Sequence, residues 1–322
     1  MVRPAPHGVV VHQALPLPRV RSGDTSGHTA CRRLAVRRPS GESPTLAHPL
    51  LGGSRPSHLT PGARPGTSVL MTEIVANSVL PADRQPIHLT TADGHVLIGE
   101  LALPMDVPVR GTVICMHPLP THGGMMDSHV LRKMAWRLPA LAGIAVLRFN
   151  TRGTTSAAGT SEGTFDASNG EGLDLHAAIA EVVSRRLPDP WLLGWSFGCD
   201  VVLRHGDISP VQGAILLSPA LRYASVEEMS SWNAGARPVV CLIPELDDYL
   251  RPVEARGRFS MMTHADVRPV AEARHLWVGE RFVRHVLDEI SDCIVPGSAP
   301  LPREWNGTME RWSDLPTAPS PS

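Results

Sequence analysis

A serine hydroxyl becomes a strong nucleophile only when a histidine takes its proton and a carboxylate orients that histidine. Two segments could present such a serine in a G-x-S-x-G setting. One is Gly194-Trp195-Ser196-Phe197-Gly198 and the other is Gly159-Thr160-Ser161-Glu162-Gly163. A second match within one chain makes the pattern weak by itself, so context must decide. The chemistry needs a strand that turns sharply at the serine and leaves as a helix. The glycines are needed because a strained serine backbone leaves no room for side chains beside it. Ser196 follows the apolar run Trp191-Leu192-Leu193 and precedes Cys199-Asp200-Val201-Val202-Leu203, a plausible helix. Ser161 lies in a polar, glycine-rich stretch with no strand before it. Ser196 is therefore the candidate nucleophile. The competing reading of Ser196 is a small residue at a close helix–strand crossing. Cys199 would lie within the helix and reads as a buried apolar filler.

In a strand–serine–helix arrangement of this kind the acid and then the base follow the serine along the chain. After the apolar run Val239–Ile243 comes Pro244-Glu245-Leu246-Asp247-Asp248. Asp247 is the preferred acid. Asp248 and Glu245 are close rivals, because one residue of turn geometry changes which carboxylate faces inward. A solvated acidic turn is the non-catalytic reading. Of fifteen histidines, His275 lies in the loop before the closing helix, where a base belongs. His264 is the serious competitor, but it precedes the last strand. For the oxyanion, Cys115-Met116-His117-Pro118-Leu119-Pro120-Thr121-His122-Gly123-Gly124 follows a buried strand. Pro118 and Pro120 carry no N–H, which isolates the Leu119 amide between rigid neighbours. Leu119 and Phe197 are the expected oxyanion donors. His117 and His122 could instead be read as metal ligands, a weak reading without a carboxylate or cysteine beside them. No metal or other cofactor is expected.

These residues need a scaffold. Ile87–Thr91 and His95–Leu103 flank Asp93-Gly94, a strong hairpin signal. Short apolar runs at 111–117, 144–149, 191–194, 214–218 and 239–243 suit strands buried on both faces. A last strand is expected at 266–270. Helical spacing appears at 128–141, 172–185, 197–205 and 276–294, while 150–169 reads as a long loop. A hairpin followed by alternating strands and helices implies an α/β fold with a mainly parallel, doubly wound sheet. Each candidate residue falls just after a strand, where such sheets bind ligands.

The ends differ from this body. Residues 1–70 are rich in Pro, Arg, Ser, Gly and His, with Asp24 and Glu42 as their only acids. They are expected to be disordered or a mis-assigned extension, with Met71 as an ordinary-looking start. Their arginines resemble a transit peptide, but the prolines break the helix such a peptide needs. Residues 71–294 form the expected domain, and 295–322 a mobile Pro/Ser-rich tail.

The chain has 322 residues, 42% of them apolar, and a formal net charge of -1. That allows one sizeable core and gives no basic stripe for nucleic acid. The single lysine, Lys133, reflects base composition. Five scattered cysteines form no C-x-x-C pair, which disfavours disulfides or structural zinc and fits a reducing, cytoplasmic setting. No apolar run is long enough to span a membrane. Oligomeric state is left open.

The run His117–Asp127, the segment Leu147-Arg148-Phe149-Asn150-Thr151-Arg152-Gly153, then Gly159–Asp166, Gly170–Asp174 and the Gly194–Gly198 elbow carry a joint resemblance. They resemble a group of small bacterial α/β-hydrolases with HPxP…GG…MD, RFNxRG and GxSxG segments in that order. Pro244–Pro252 and His275–Glu280 are similar to the acid and base segments of actinobacterial members. The resemblance covers about residues 72–294 and implies an α/β-hydrolase fold with a Ser-acid-His triad, without a substrate. The stretch from Ser218 to Val239 is too short for a lid domain, which favours an open site and a small soluble substrate. The expectation is a serine hydrolase of carboxylic esters or thioesters. The alternatives are a non-catalytic binding or scaffold protein, or a small-substrate aminoacyl or prolyl peptidase, suggested faintly by the Arg152-Gly153 loop.

Overall fold

The computed structural model describes residues 71–312. The expectations for residues 1–70 lie outside the described residues.

In chain order the elements are β1 (Thr72–Glu73), β2 (Ser78–Val79), β3 (Asp83–Thr90), β4 (Val96–Leu103), β5 (Gly111–Met116), α1 (His129–Ala142), β6 (Ile144–Phe149), β7 (Thr155–Ser156), β8 (Gly159–Thr160), α2 (Glu171–Ser184), β9 (Pro190–Trp195), α3 (Phe197–His205), β10 (Gly213–Leu217), α4 (Val226–Gly235), β11 (Val239–Pro244), α5 (Pro252–Arg258), β12 (Ala265–Val270), α6 (Glu280–Ile294), β13 (Glu304–Trp305) and β14 (Glu310–Arg311). Eight of them form one sheet in the order β3-β4-β6-β5-β9-β10-β11-β12. The β3–β4 and β4–β6 pairs are antiparallel, and every pair from β6 to β12 is parallel. This is the expected α/β-hydrolase architecture. The hairpin closes at Gly94, whose φ of 90° suits glycine.

The central strands are apolar throughout because both faces are covered. In β5, Val113 and Cys115 pack with α1 and α6, while Ile114 and Met116 pack with α2 and α3. In β9, Leu193 and Trp195 face the first layer and Leu192 the second. The two-residue alternation of a strand thus becomes two separate cores.

Three expectations change. The closing helix starts at Glu280, not Leu276. Trp277 takes φ 54° and Gly279 φ 112°, which no α-helix accommodates. Trp277 is nevertheless fully buried, in the α1/α6 core. Helices α4 and α5 were not foreseen. The first carries a complete capping box: the Glu228 amide donates to Ser225 Oγ at 3.2 Å, and the Ser225 amide donates to the Glu228 carboxylate at 2.7 Å. Helix α4 alone fills the stretch between β10 and β11, where no lid domain is present.

The third change concerns the C-terminal segment, expected to be mobile. Its residues 304–311 return across the molecule: β13 pairs with β1 and β14 with β2, both antiparallel. The Trp312 amide then donates to the Asn77 carbonyl at 2.9 Å, and the Trp312 ring lies 6.2 Å from the Trp136 ring. Arg132 lies over both rings. Proline and serine composition signals weak self-structure, but here the pairing partners are supplied by distant strands.

Truncation after Pro302 removes both pairings and the Trp312 contact. A loss of about 2 kcal/mol should lower Tm by about 4–8 °C in a domain of this size, read by differential scanning calorimetry. An unchanged Tm would return the segment to the mobile reading.

Candidate active site

Ser196 occupies the turn between β9 and α3 at φ 53° and ψ -113°. An L-residue rarely adopts that conformation, and it persists only where surroundings enforce it. The Ser196 amide donates to the Leu217 carbonyl of β10 at 2.9 Å, which pins the turn to the sheet. The two glycines are spatial requirements. A Cβ on Gly194 would lie 2.6 Å from the Gly198 carbonyl, and one on Gly198 would lie 2.2 Å from the Met116 carbonyl. Ser196 is half-buried, so its hydroxyl can be reached.

His275 Nε2 lies 2.9 Å from Ser196 Oγ. His275 Nδ1 lies 2.9 Å and 3.1 Å from the two Asp247 oxygens. An Nδ1–H donated to the carboxylate leaves Nε2 free to accept the serine proton. The His275 backbone is held by its carbonyl, which accepts from Trp195 Nε1 at 3.3 Å and Ser218 Oγ at 3.1 Å. Asp247 is buried, and one oxygen also accepts the Tyr249 and Leu250 amides at 2.8 and 3.3 Å. Burial pushes the carboxyl up, but the bonds from His275 and these amides outweigh it and hold Asp247 below the usual aspartate range. The rivals lie elsewhere. Asp248 and His264 are exposed, and Glu245 accepts the Glu272 amide.

Ser161, in the second G-x-S-x-G segment, is a structural bridge. It is buried, its hydroxyl donates to the Asn150 carbonyl at 2.8 Å, and it accepts the Ile98 amide at 2.9 Å. Cys199 is likewise buried in the core under β9.

Leu119 and Phe197 line the same cleft as Ser196, and their amides have no partner among the described backbone groups. Phe197 opens α3, so its N–H is one of the free amides at a positive helix end. Leu119 is aimed indirectly. The Thr151 amide donates to His117 Nε2 at 3.1 Å, which makes that nitrogen an acceptor and puts the ring proton on Nδ1. Nδ1 then donates to the Pro118 carbonyl at 2.7 Å. In a trans peptide the C=O and the following N–H point opposite ways, so the fixed Pro118 carbonyl turns the Leu119 N–H away from His117 and Gly124. Gly124 makes room for that carbonyl, since a Cβ there would lie 2.0 Å from it. Both His117 nitrogens are thereby engaged, which leaves neither for a metal.

The Arg148–Arg152 segment supports the same loop. Arg148 pairs with Asp127 and with Glu100 at 3.0 Å, and donates to the Met126 carbonyl at 3.1 Å. Asn150 Oδ1 accepts the Met126 amide at 3.0 Å. Arg152 pairs with buried Asp174 at 2.8 Å and with Asp93 at 3.0 Å. Sequence reasoning recognised these residues as a motif without a function. The signal available was one arginine inside an apolar strand and a second three residues past its end, with Phe149-Asn150-Thr151 between them.

Ser196 and His275 open into a cleft of about 130 Å³, lined also by Leu119, Phe197, Tyr249 and Leu276. Among the described residues no helix is long and apolar enough to cross a membrane.

The sequence matches no protein-family model and no curated protein. Similar solved structures exist. A lidless α/β serine hydrolase from Xanthomonas campestris is 27% identical over 67% of this chain and 94% of its own, with a TM-score of 0.54. An α/β serine hydrolase homologue from Coxiella burnetii is 24% identical over 66% and 95%, with a TM-score of 0.53. An esterase from Pyrococcus furiosus is 16% identical over 66% and 89%, with a TM-score of 0.54. The chain is a hydrolase-type α/β protein by fold.

The His117 geometry makes a stability prediction. Burial pushes its imidazole down to about 4, against the weaker opposing pull of the Pro118 carbonyl. An unfolded histidine titrates near 6.5, so between these values the unfolded chain binds a proton that the native state refuses. Stability should be full above pH 6.5 and fall by about 3 kcal/mol as pH drops to 4. His117→Gln should be less stable at pH 7 and flatter across that window in urea titrations. Parallel pH profiles for the two proteins would refute the assignment.

Proposed function

We propose that the protein is a serine hydrolase that cleaves carboxylic esters or thioesters of small substrates. The observation that carries this reading is the continuous chain from Ser196 Oγ through His275 to Asp247, open to a cleft flanked by two free amides.

In the first half-reaction Ser196 Oγ attacks the carbonyl carbon as its proton passes to His275 Nε2. The carbonyl π electrons move to the oxygen, which the Leu119 and Phe197 amides stabilise. Asp247 holds the imidazolium that forms. Collapse of the intermediate breaks the bond to the leaving oxygen or sulfur, which takes the proton from His275. Water then repeats the sequence on the acyl-enzyme: His275 accepts its proton, and Ser196 recovers one as the acid departs. Atoms and charge balance without a cofactor.

The cleft is small beside the roughly 300–1,000 Å³ of pockets for drug-sized ligands, and α4 is the one helix between β10 and β11. Both features favour short acyl groups. The peptidase alternative draws no support from Arg152, which is buried in ion pairs with Asp174 and Asp93.

The test is hydrolysis of p-nitrophenyl acetate together with fluorophosphonate labelling and peptide mapping. The label should fall on Ser196, and Ser196→Ala should lower kcat by about four orders of magnitude or more. Ser161→Ala should still be labelled at Ser196. Asp247→Asn should lower kcat by about 10³–10⁴-fold with little change in KM. No turnover and no label on the wild-type protein would reject the reading.

A further inference from the structure

The loop leaving β10 faces the catalytic residues, and its conformation is costly. Ser218 and Leu221 both adopt φ 49°, in the left-handed region that side chains avoid. Such strain is retained where surroundings over-determine it and gathers at ligand sites. The surroundings here are specific. One oxygen of fully buried Asp200, in α3, accepts the Tyr223 and Ala224 amides, both at 2.9 Å. The Tyr223 ring stands edge-on to Phe197 at 5.7 Å. Arg222 is fixed between the strained Leu221 and these two pinned amides, and it lines the same cleft as Ser196 and His275.

The arginine is charged and unspent. Arg148, Arg152, Arg204 and Arg237 each engage a carboxylate. Arg222 engages none among the described residues. Its guanidinium instead lies 4.9 Å from the centre of the Tyr249 ring, and that ring packs 4.5 Å from the His275 imidazole. The aromatic face orders the cation without neutralising it. Asp200 is the sole carboxylate lining the cleft among the described residues; it is fully buried, with one oxygen on backbone amides and the other without a partner.

We infer that Arg222, shelved on Tyr249 beside His275, binds an anionic group of the substrate, so that the preferred ester or thioester carries a carboxylate, phosphate or sulfonate. This rests on the hydrolase reading above. A guanidinium offers such groups two parallel donors, and a cleft with one unpaired cation draws anions in.

The experiment compares esters with and without an anion in wild type, Arg222→Gln and Arg222→Glu. The acyl arm uses the mono-p-nitrophenyl esters of glutaric and adipic acids against p-nitrophenyl pentanoate and hexanoate, with spontaneous hydrolysis subtracted. The leaving-group arm uses 4-acetoxybenzenesulfonate against p-nitrophenyl acetate. Arg222→Gln should lower kcat/KM by about 10- to 100-fold for the anionic ester of at least one arm, mainly through KM. The loss on the matching neutral ester should be at least tenfold smaller. Arg222→Glu should penalise the anion further, and 0.5 M salt should narrow the wild-type preference. Equal losses on anionic and neutral esters, or no loss on any anion, would overturn the inference while leaving the hydrolase reading intact. A wild type that turns over no ester and takes no fluorophosphonate would remove both.

Discussion

The geometry of the site depends on one turn in which the backbone is held against its preference. Ser196 at φ 53° costs of order 1–3 kcal/mol, and three things hold it there. Its amide is tied to β10, and β9 is locked between β5 and β10. The third is the clearance given by Gly194 and Gly198, which lets α3 start within van der Waals distance of β5. Release of the turn would move the hydroxyl away from His275. It would also move Phe197, whose amide is the first of the helix. The candidate nucleophile and one candidate oxyanion donor are thus placed by a single conformational constraint.

The other half of the site is held by polar groups. His275 and Asp247 come from loops after β12 and β11, and their registers are fixed by those parallel strands and by backbone bonds on both sides. The loop that follows β5 is fastened from beneath by Arg148, Asn150 and Thr151 at the end of β6. Because β6 and β9 both pair with β5, the fastening point and the serine turn share one neighbouring strand. A parallel sheet supplies this arrangement because its strand ends gather on one edge.

Much of this was legible in the sequence. The strands at 111–116 and 239–244 read as unbroken apolar runs because they are buried on both faces. The order of serine, acid and base narrowed fifteen histidines to the three that follow the acid, of which His285 falls in the closing helix. The choice between Asp247 and Asp248 was not legible from the apolar pattern, since it depends on the rotation of one turn. The spacing held a further clue: Asp247 accepts the amide two residues on, as turn-forming aspartates commonly do. Ser225-Val226-Glu227-Glu228 likewise carries the capping-box pattern that could have marked the unforeseen helix α4. The pairing of 304–311 with 72–79 could not be read, because two-residue strands carry no period and their partners lie far away in sequence. The role of Arg148 was hidden for a related reason: a charged residue in an apolar strand does not reveal its partners.

Those buried charges are poorly explained as a source of stability. Desolvation of Arg148 and its carboxylates offsets most of what their attraction returns, and apolar replacements of such groups are often as stable. What an apolar cluster cannot supply is direction. Arg148 is held by Glu100 of the neighbouring strand β4 and reaches Asp127 and the Met126 carbonyl at once, and the two loop contacts fail if the loop shifts by an ångström or two. A network in which displacement strands a buried charge admits few arrangements. His117 extends the same logic to a single peptide: its two nitrogens are occupied by Thr151 and Pro118, so the Leu119 amide has one direction left. The charged motif and the neutral histidine therefore act together, converting buried polar groups into a fixed donor at the cleft.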